Sequence, residues 1–489
     1  MKKIILFSLG LAVIISCSKR FDDMNVSPNS PKDVPSQMLL ASAMVRIPYA
    51  LELSSSTNIT DLWVQYTKAT TYVDEDQYKP RNDRMNTVWS SLYNQSFEDC
   101  TLAIEKARAD GLPNNEAVGL ILKAYVGYHL TMLFGDVPYS KACQASQGSL
   151  SPSYDTQLNV LNSILTDLTS ASDLIGTSTE PLPLEKLAAY DYVYGGDLQL
   201  WKKFANTLKL RVYLTLTTGG DNKTPEINAL LASPDIFQSS DEEALLPYLT
   251  SDNPVYQWIN PGSSRRNDFR ITNTLVEYMR GSSLDSTLPA DARLTIYAFP
   301  LKTGVDSAKY VGGRNGIKSG ISTCSKIGSY YTSSTPYYFM TYTEVLFIKA
   351  EMDTTNAANY QAAVTASFIH NGLTSAAANG MLADPNFAFN AAKGGQLIGE
   401  QKWVALFGDG NEAFNSWRRT GYPKLIPAAN AATVQGFVPR RIAYNTDEKN
   451  LNTANVNAAI ATLYPLPGED VVSSRVWFDR NHPTNFGNK

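Results

Sequence analysis

The residues with the most evident chemical potential do not assemble into a known catalytic signature. Gly408-Asp409-Gly410-Asn411-Glu412-Ala413 has the spacing of a dinucleotide-binding turn, which requires a preceding strand and a following helix in a βαβ unit. What precedes it, Glu400 to Phe407, has helical apolar spacing, so the segment reads as a glycine-rich turn between helices. Gly313-Arg314-Asn315-Gly316-Ile317-Lys318-Ser319 lacks the adjacent Gly-Lys of a phosphate loop and reads as a turn cluster. Neither Gly-x-Ser-x-Gly nor His-Glu-x-x-His occurs, so the usual signatures of serine hydrolases and zinc proteases are missing. A glycosidase pair stays open, because 46 acidic residues leave many pairs whose separation only the fold sets. Asp74-Glu75-Asp76 has the charge of a calcium loop but reads as a solvated loop tip. Without Cys-x-x-Cys, and with only His129, His370 and His482 as imidazole donors, neither zinc nor any other metal or cofactor is expected.

Binding chemistry is what remains. The 27 Tyr outnumber the 18 Phe, a bias toward rings that both stack and hydrogen-bond. Sugar faces pack C–H groups on rings, while Arg and Asn bond hydroxyls or peptide carbonyls. The expected ligand-binding residues are therefore Tyr72, Tyr78, Arg81 and Asn82 in one polar, aromatic loop, and Tyr256 and Trp258 in a second irregular region. For each ring the competing reading is that it covers the core. Trp89, Tyr125, Tyr128 and Trp201 fall within helical apolar patterns and are assigned to the core. A net charge of −4 with 18% charged residues gives no basic face for nucleic acid.

The elements that must position these residues are mostly helical. Apolar positions at mixed three and four spacings run from about Ser36 to Thr67 and from Met85 to Asp110. Glu116 to Phe134 is apolar around most of its circumference and ends at Gly135 and Pro138, which predicts a helix buried on several sides. Tyr154 to Ser172, Asp197 to Thr217, Thr341 to Glu351, Tyr360 to Ile369, Glu400 to Phe407 and Glu412 to Trp417 also read as helices. Asp221 to Tyr338 is broken by Pro and Gly into irregular loops with a few short strands. Long loops of that kind are usually functional. The expectation is a mainly α, tetratricopeptide-like helical bundle with degenerate repeats, no clean 34-residue period, and a ligand-binding loop region at about 221–338.

At the N-terminus, Lys2 and Lys3 precede an apolar run from Ile4 to Ile15, the pattern of a secretory leader and too short to span a bilayer. No further stretch of spanning length is read. Val13-Ile14-Ile15-Ser16-Cys17 resembles a lipoprotein lipobox, with Ile14 where Leu is commonest. The resemblance implies that residues 1–16 are a leader, that Cys17 is acylated, and that 17–35 is a tether to a 36–489 domain. Lys19-Arg20-Phe21-Asp22-Asp23 loosely resembles a surface-export signal, or is an ordinary tether. If Cys17 carries lipid, Cys100, Cys143 and Cys324 are too few and odd in number for a disulfide framework.

Several stretches together resemble the SusD/RagB group, particularly its second subfamily. They are Phe21-Asp22-Asp23-Met24-Asn25, Trp89-Ser90-Ser91-Leu92-Tyr93, Leu133-Phe134-Gly135-Asp136-Val137-Pro138-Tyr139, Glu344-Val345-Leu346-Phe347-Ile348-Lys349-Ala350-Glu351, and Glu412-Ala413-Phe414-Asn415-Ser416-Trp417-Arg418-Arg419. In the fourth stretch Val345, Leu346 and Ile348 are expected to bury and Lys349 and Glu351 to stay wet. The resemblance implies a lipid-anchored outer-membrane protein facing the cell exterior. Such a protein captures oligosaccharides or peptides for a SusC-like TonB-dependent transporter and is not an enzyme. The competing functions are a surface glycoside hydrolase and a purely structural scaffold.

Overall fold

The computed structural model describes residues 34–480, apart from 145–147, 149, 178–186, 250, 266, 303, 305–306, 434–436 and 467. Residues 1–33, with the expected leader, Cys17 and most of the expected tether, and His482 lie outside the described residues. The architecture is mainly α. Glu98–Asp110 turns through Gly111 into Pro113–Phe134, which packs on Gln157–Ile175, and that helix packs on Leu198–Thr218. A second group, Tyr342–Met352, Ala357–His370 and Gly394–Ala405, builds its own apolar cluster around Phe347, Tyr360, Phe368 and Ile398. The described residues contain three separate two-stranded antiparallel sheets. β1 (Thr67–Ala69) pairs with β3 (Phe269–Ile271), β2 (Ala244–Leu246) with β6 (Tyr337–Met340), and β4 (Ala298–Phe299) with β5 (Lys326–Ile327).

Pro113–Phe134 explains much of the core. Pro113 opens the helix where its missing N–H costs nothing, and Gly135 at φ +95° ends it. By length and composition this helix could cross a membrane, contrary to the sequence expectation, but 94% of its apolar window is buried inside the protein. A Cβ on Gly127 would come within 2.2 Å of the Tyr139 ring, so glycine lets the following turn dock on the helix. In that turn Asp136 accepts from the Gln157 N–H at 2.8 Å, and the Tyr139 hydroxyl donates to Asp167 at 2.7 Å. Leu133 to Tyr139 thus joins the end of one buried helix to the start of the next. Trp89, Tyr125, Tyr128 and Trp201 are all buried.

Several sequence expectations need correction. Ser36 to Thr67 is not one α-helix: Ser36–Pro48 is followed by a π-helical winding over Tyr49–Thr60. Its polar side chains reach carbonyls five residues back, Thr57 to Glu52 at 2.9 Å and Asn58 to Leu53 at 2.5 Å, which suits the wider turn. The 221–338 region holds short helices at Thr224–Leu231, Pro254–Ile259 and Asn273–Arg280. Two of them carry Pro in the first turn, where it starts a helix rather than breaking one. Beyond Trp417, where no element is expected, lie the helices Thr446–Leu451 and Thr453–Ile460. Glu351 is not wet. It lies beside Lys402 at 2.9 Å and Arg419, whose charges hold its carboxyl down at about 2 against the opposing effect of burial.

Candidate functional site

A cleft of about 680 Å³ opens between the Pro254–Ile259 helix and the β4–β5 pair. Small-molecule sites usually span about 300–1,000 Å³. All of its lining residues fall between Tyr256 and Thr332. Asn253 fixes the short helix: its Oδ1 accepts from the N–H groups of Val255 at 2.9 Å and Tyr256 at 3.0 Å. The same amide's Nδ2 donates to both oxygens of buried Glu52, at 3.0 and 3.2 Å. Tyr256 and Ile259 then line one wall.

The facing wall comes from strands too short to show any sequence period. Phe299 stands opposite Lys326 across β4 and β5. Phe299 is 44% exposed and Ile321 48%, an apolar surface that Phe269 and Tyr331 extend. A Cβ on Gly328 would sit 2.2 Å from the Ile296 carbonyl oxygen, so the chain returns here only with glycine. Asn260, Asn267, Ser322, Ser329 and Thr332 supply hydrogen-bonding groups. Among the described residues no Asp or Glu lines the cleft. Rings beside amides and hydroxyls can pack on C–H faces and bond hydroxyl groups.

A smaller depression of about 30 Å³ shares Phe269 with the cleft and is lined by Tyr72, Arg81, Arg84, Trp258 and Arg265. The Arg265 guanidinium lies 4.4 Å from the Trp258 ring centroid and that of Arg84 5.9 Å away. Arg81 donates to Glu75 at 2.9 Å, a bond that holds its pKa above the ordinary value. The structure therefore brings Tyr72, Arg81 and Trp258 together and puts Tyr256 next door. Trp258 meets guanidinium groups instead of presenting a bare stacking face.

Two of the six expected residues stand apart from both openings. Tyr78 is buried, with 2% of its surface exposed, and its hydroxyl accepts from the Ala428 N–H at 2.9 Å. Bonds from Gln77 N–H to Val73 and from Lys79 N–H to Asp74, both 2.8 Å, coil the loop and carry the ring inward. Asn82 is exposed, but its Oδ1 accepts from the Thr446 hydroxyl at 2.6 Å and fastens the tail helix. The acidic loop tip is also corrected. Asp76 is fully buried and accepts from Asn315 Nδ2 at 2.6 Å and the Gly316 N–H at 2.7 Å, so it ties down the glycine turn cluster.

Carboxylates gather elsewhere, around a small pocket of about 40 Å³ lined in part by Glu52, Arg211, Glu344, His370 and Asp409. Burial pushes Glu52 up to about 8 and Asp409 to about 6. Such a space admits a few waters, since each needs about 10–15 Å³, and excludes a sugar ring.

A family model described as starch-binding, associating with the outer membrane, matches residues 28–445. Among curated proteins none matches the sequence. Among solved structures, a chitin-binding protein is 25% identical with a TM-score of 0.76, covering 91% of this chain and 100% of its own. A chitin-binding SusD homologue from Flavobacterium johnsoniae is 24% identical with a TM-score of 0.75, covering 92% of this chain and 98% of its own. A SusD homologue from Bacteroides thetaiotaomicron VPI-5482 is 21% identical with a TM-score of 0.78, over 92% of this chain and all of its own.

Proposed function

We infer, for a chain that belongs to the SusD-like family of starch-binding proteins associating with the outer membrane, that it captures oligosaccharides in the cleft beside Tyr256 and Phe299. It passes them to a SusC-like TonB-dependent transporter and does not cleave them. The observation that carries this reading is an open cleft where the exposed Phe299 and the half-buried Tyr256 and Phe269 stand beside amides and hydroxyls, with no carboxylate among its described lining residues. Tyr72, Arg81 and Trp258 extend the ligand's path across Phe269, while Tyr78 and Asn82 brace the loop and tail behind it. Calorimetric titration with an oligosaccharide panel tests it. Truncating a central ring typically costs about 2 kcal/mol or more, roughly thirtyfold in affinity, so Phe299→Ala and Tyr256→Ala should each weaken binding on that scale while the variants stay folded. A bound oligosaccharide indifferent to both changes, or one released in pieces, contradicts the reading.

The N-terminal part of the reading rests on the sequence: a leader over 1–16, lipid on Cys17, and a tether over 17–35 ahead of the 36–489 domain. Acyl chains contribute about 0.8 kcal/mol per buried CH₂, enough for firm anchoring by several chains. Cys17→Ser should shift the protein from the membrane fraction to the soluble one. A variant that still takes up a palmitate analogue rules the anchor out.

A further inference from the structure

The floor of the cleft carries a buried cation for which no carboxylate partner stands among the described residues. Arg270, on β3, is fully shielded from water beneath the cleft. Its guanidinium donates only to neutral oxygens: the Ile321 carbonyl at 3.0 Å, the Phe269 carbonyl at 2.7 Å and Asn267 Oδ1 at 3.0 Å. Directly opposite it in the β1–β3 register stands a second buried cation, Lys68. Its ammonium donates to the Ile317 carbonyl and to Ser319 Oγ, both at 2.8 Å. Asp76 lies close enough to offset part of the Lys68 charge, whereas no carboxylate among the described residues acts on Arg270. Like charges facing each other across a strand pair are unfavourable, and a buried charge without a counter-ion, as at Arg270, is costly.

At the rim, Lys302 is exposed and lines the same cleft. No carboxylate lies within ion-pair distance of it among the described residues. Asp268, the neighbouring carboxylate, faces the smaller depression, where it sits 4.0 Å from Arg265. A low-dielectric wall over buried cations focuses a positive potential into the opening, in a chain whose net charge is −4.

We propose that the cleft selects oligosaccharides bearing carboxylate or sulfate groups, with Lys302 meeting the anion at the rim and Arg270, beside Lys68, keeping the floor positive. This rests on the oligosaccharide-binding reading above and narrows its ligand class. The apolar faces of the sugar rings pack on Phe299 and Ile321, and the anion provides the discrimination.

Calorimetry on the folded chain separates the two levels, with tetragalacturonate as the carboxylate probe, a κ-carrageenan tetrasaccharide, which has sulfate and no carboxylate, as the sulfate probe, maltotetraose and tetra-N-acetylchitotetraose as neutral probes, and tetraglutamate as an acidic peptide. At about 0.1 M salt, where screening reaches about 10 Å, at least one acidic sugar should bind about tenfold or more tightly than either neutral one. At about 1 M salt, where screening reaches about 3 Å, most of that advantage should vanish. Lys302→Glu, an exposed change that spares the buried pair, should weaken the acidic sugar by about tenfold or more. The comparison of the two acidic sugars names which anion is read. Tighter binding of a neutral probe overturns the proposal and leaves the oligosaccharide reading standing. Binding of no sugar at all overturns both, and tetraglutamate binding as tightly as the acidic sugars overturns the choice of a glycan.

Discussion

Replacing Arg211 with Met should lower the stability of the fold by about 3–5 kcal/mol, the usual loss when one partner of a buried ion pair is removed. Arg211 is buried and grips Glu344 in a fork, Nε to Oε1 at 2.7 Å and Nη2 to Oε2 at 2.6 Å. Asp409 lies 3.8 Å from the same guanidinium and Glu412 4.0 Å. One cation thus serves three carboxylates, Glu344 on Tyr342–Met352 and Asp409 and Glu412 at the start of Gly410–Thr420. Burial pushes Glu412 up to about 7 and Asp409 to about 6, with Arg211 opposing it. Without the guanidinium these acids must take up protons or unfold the site, so the loss should be larger at pH 8 than at pH 5. Arg211→Lys keeps the charge and loses the fork, and should fall between. The midpoint of urea unfolding reads all three proteins, and an Arg211→Met loss below about 1 kcal/mol would remove the network from its central place.

Glu52 should make the protein lose stability as pH rises from about 5 to 8. Burial pushes its carboxyl to about 8, the hydrogen bonds from Asn253 opposing this and nearby Asp61 adding to it. Asp61, Glu243 and Glu412 are raised to about 7, chiefly by burial. A carboxyl that holds its proton more tightly when folded contributes stability that is complete below its unfolded pKa, near 4.5 for Glu52, and is lost as pH climbs through the folded value. Glu351, held at about 2, works oppositely: its contribution is present above its unfolded pKa and is lost as pH falls through about 2. His370, lowered to about 4 by burial, contributes above its unfolded value of 6.5 and loses that contribution as pH falls toward 4. Glu52→Gln keeps the shape and an acceptor for Asn253 while removing the titration. Its thermal midpoint should exceed that of the wild type by more at pH 8 than at pH 5, with a stabilisation of about 2–4 kcal/mol at the higher pH. Equal shifts at the two pH values would mean that Glu52 ionises freely in the fold.

The helical frame was legible because its signals are local. Pro113, Gly135 and the apolar circumference between them mark one buried helix without any tertiary information. What the resembling motifs do in the core was less legible. Glu344, Glu351, Glu412 and Arg419 looked like ordinary helix surface or motif residues. Their roles depend on partners distant in sequence or on another helix: Arg211 for Glu344 and Glu412, Lys402 and Arg419 for Glu351. The site divides the same way. Tyr256 and Trp258 stood out as rings in a Pro-rich loop, and both line openings. Tyr78 has the same local signature, yet its loop coils inward through its own backbone bonds. Phe299 and Lys326 sit in two-residue strands, too short for an alternation to be read, and their pairing across 27 positions is long-range. Polar composition was misleading at Asp76 for a related reason: the partners that bury it, Asn315 and Gly316, come from a turn that looked inert.

A crystal structure with the tightest-binding oligosaccharide of the panel tests the central claim most directly. The account predicts an intact sugar chain against Phe299, Ile321 and Tyr256, with its polar groups bonded to side chains of the 256–332 lining. Density for the sugar in another part of the molecule, or for shortened products in this cleft, would contradict it.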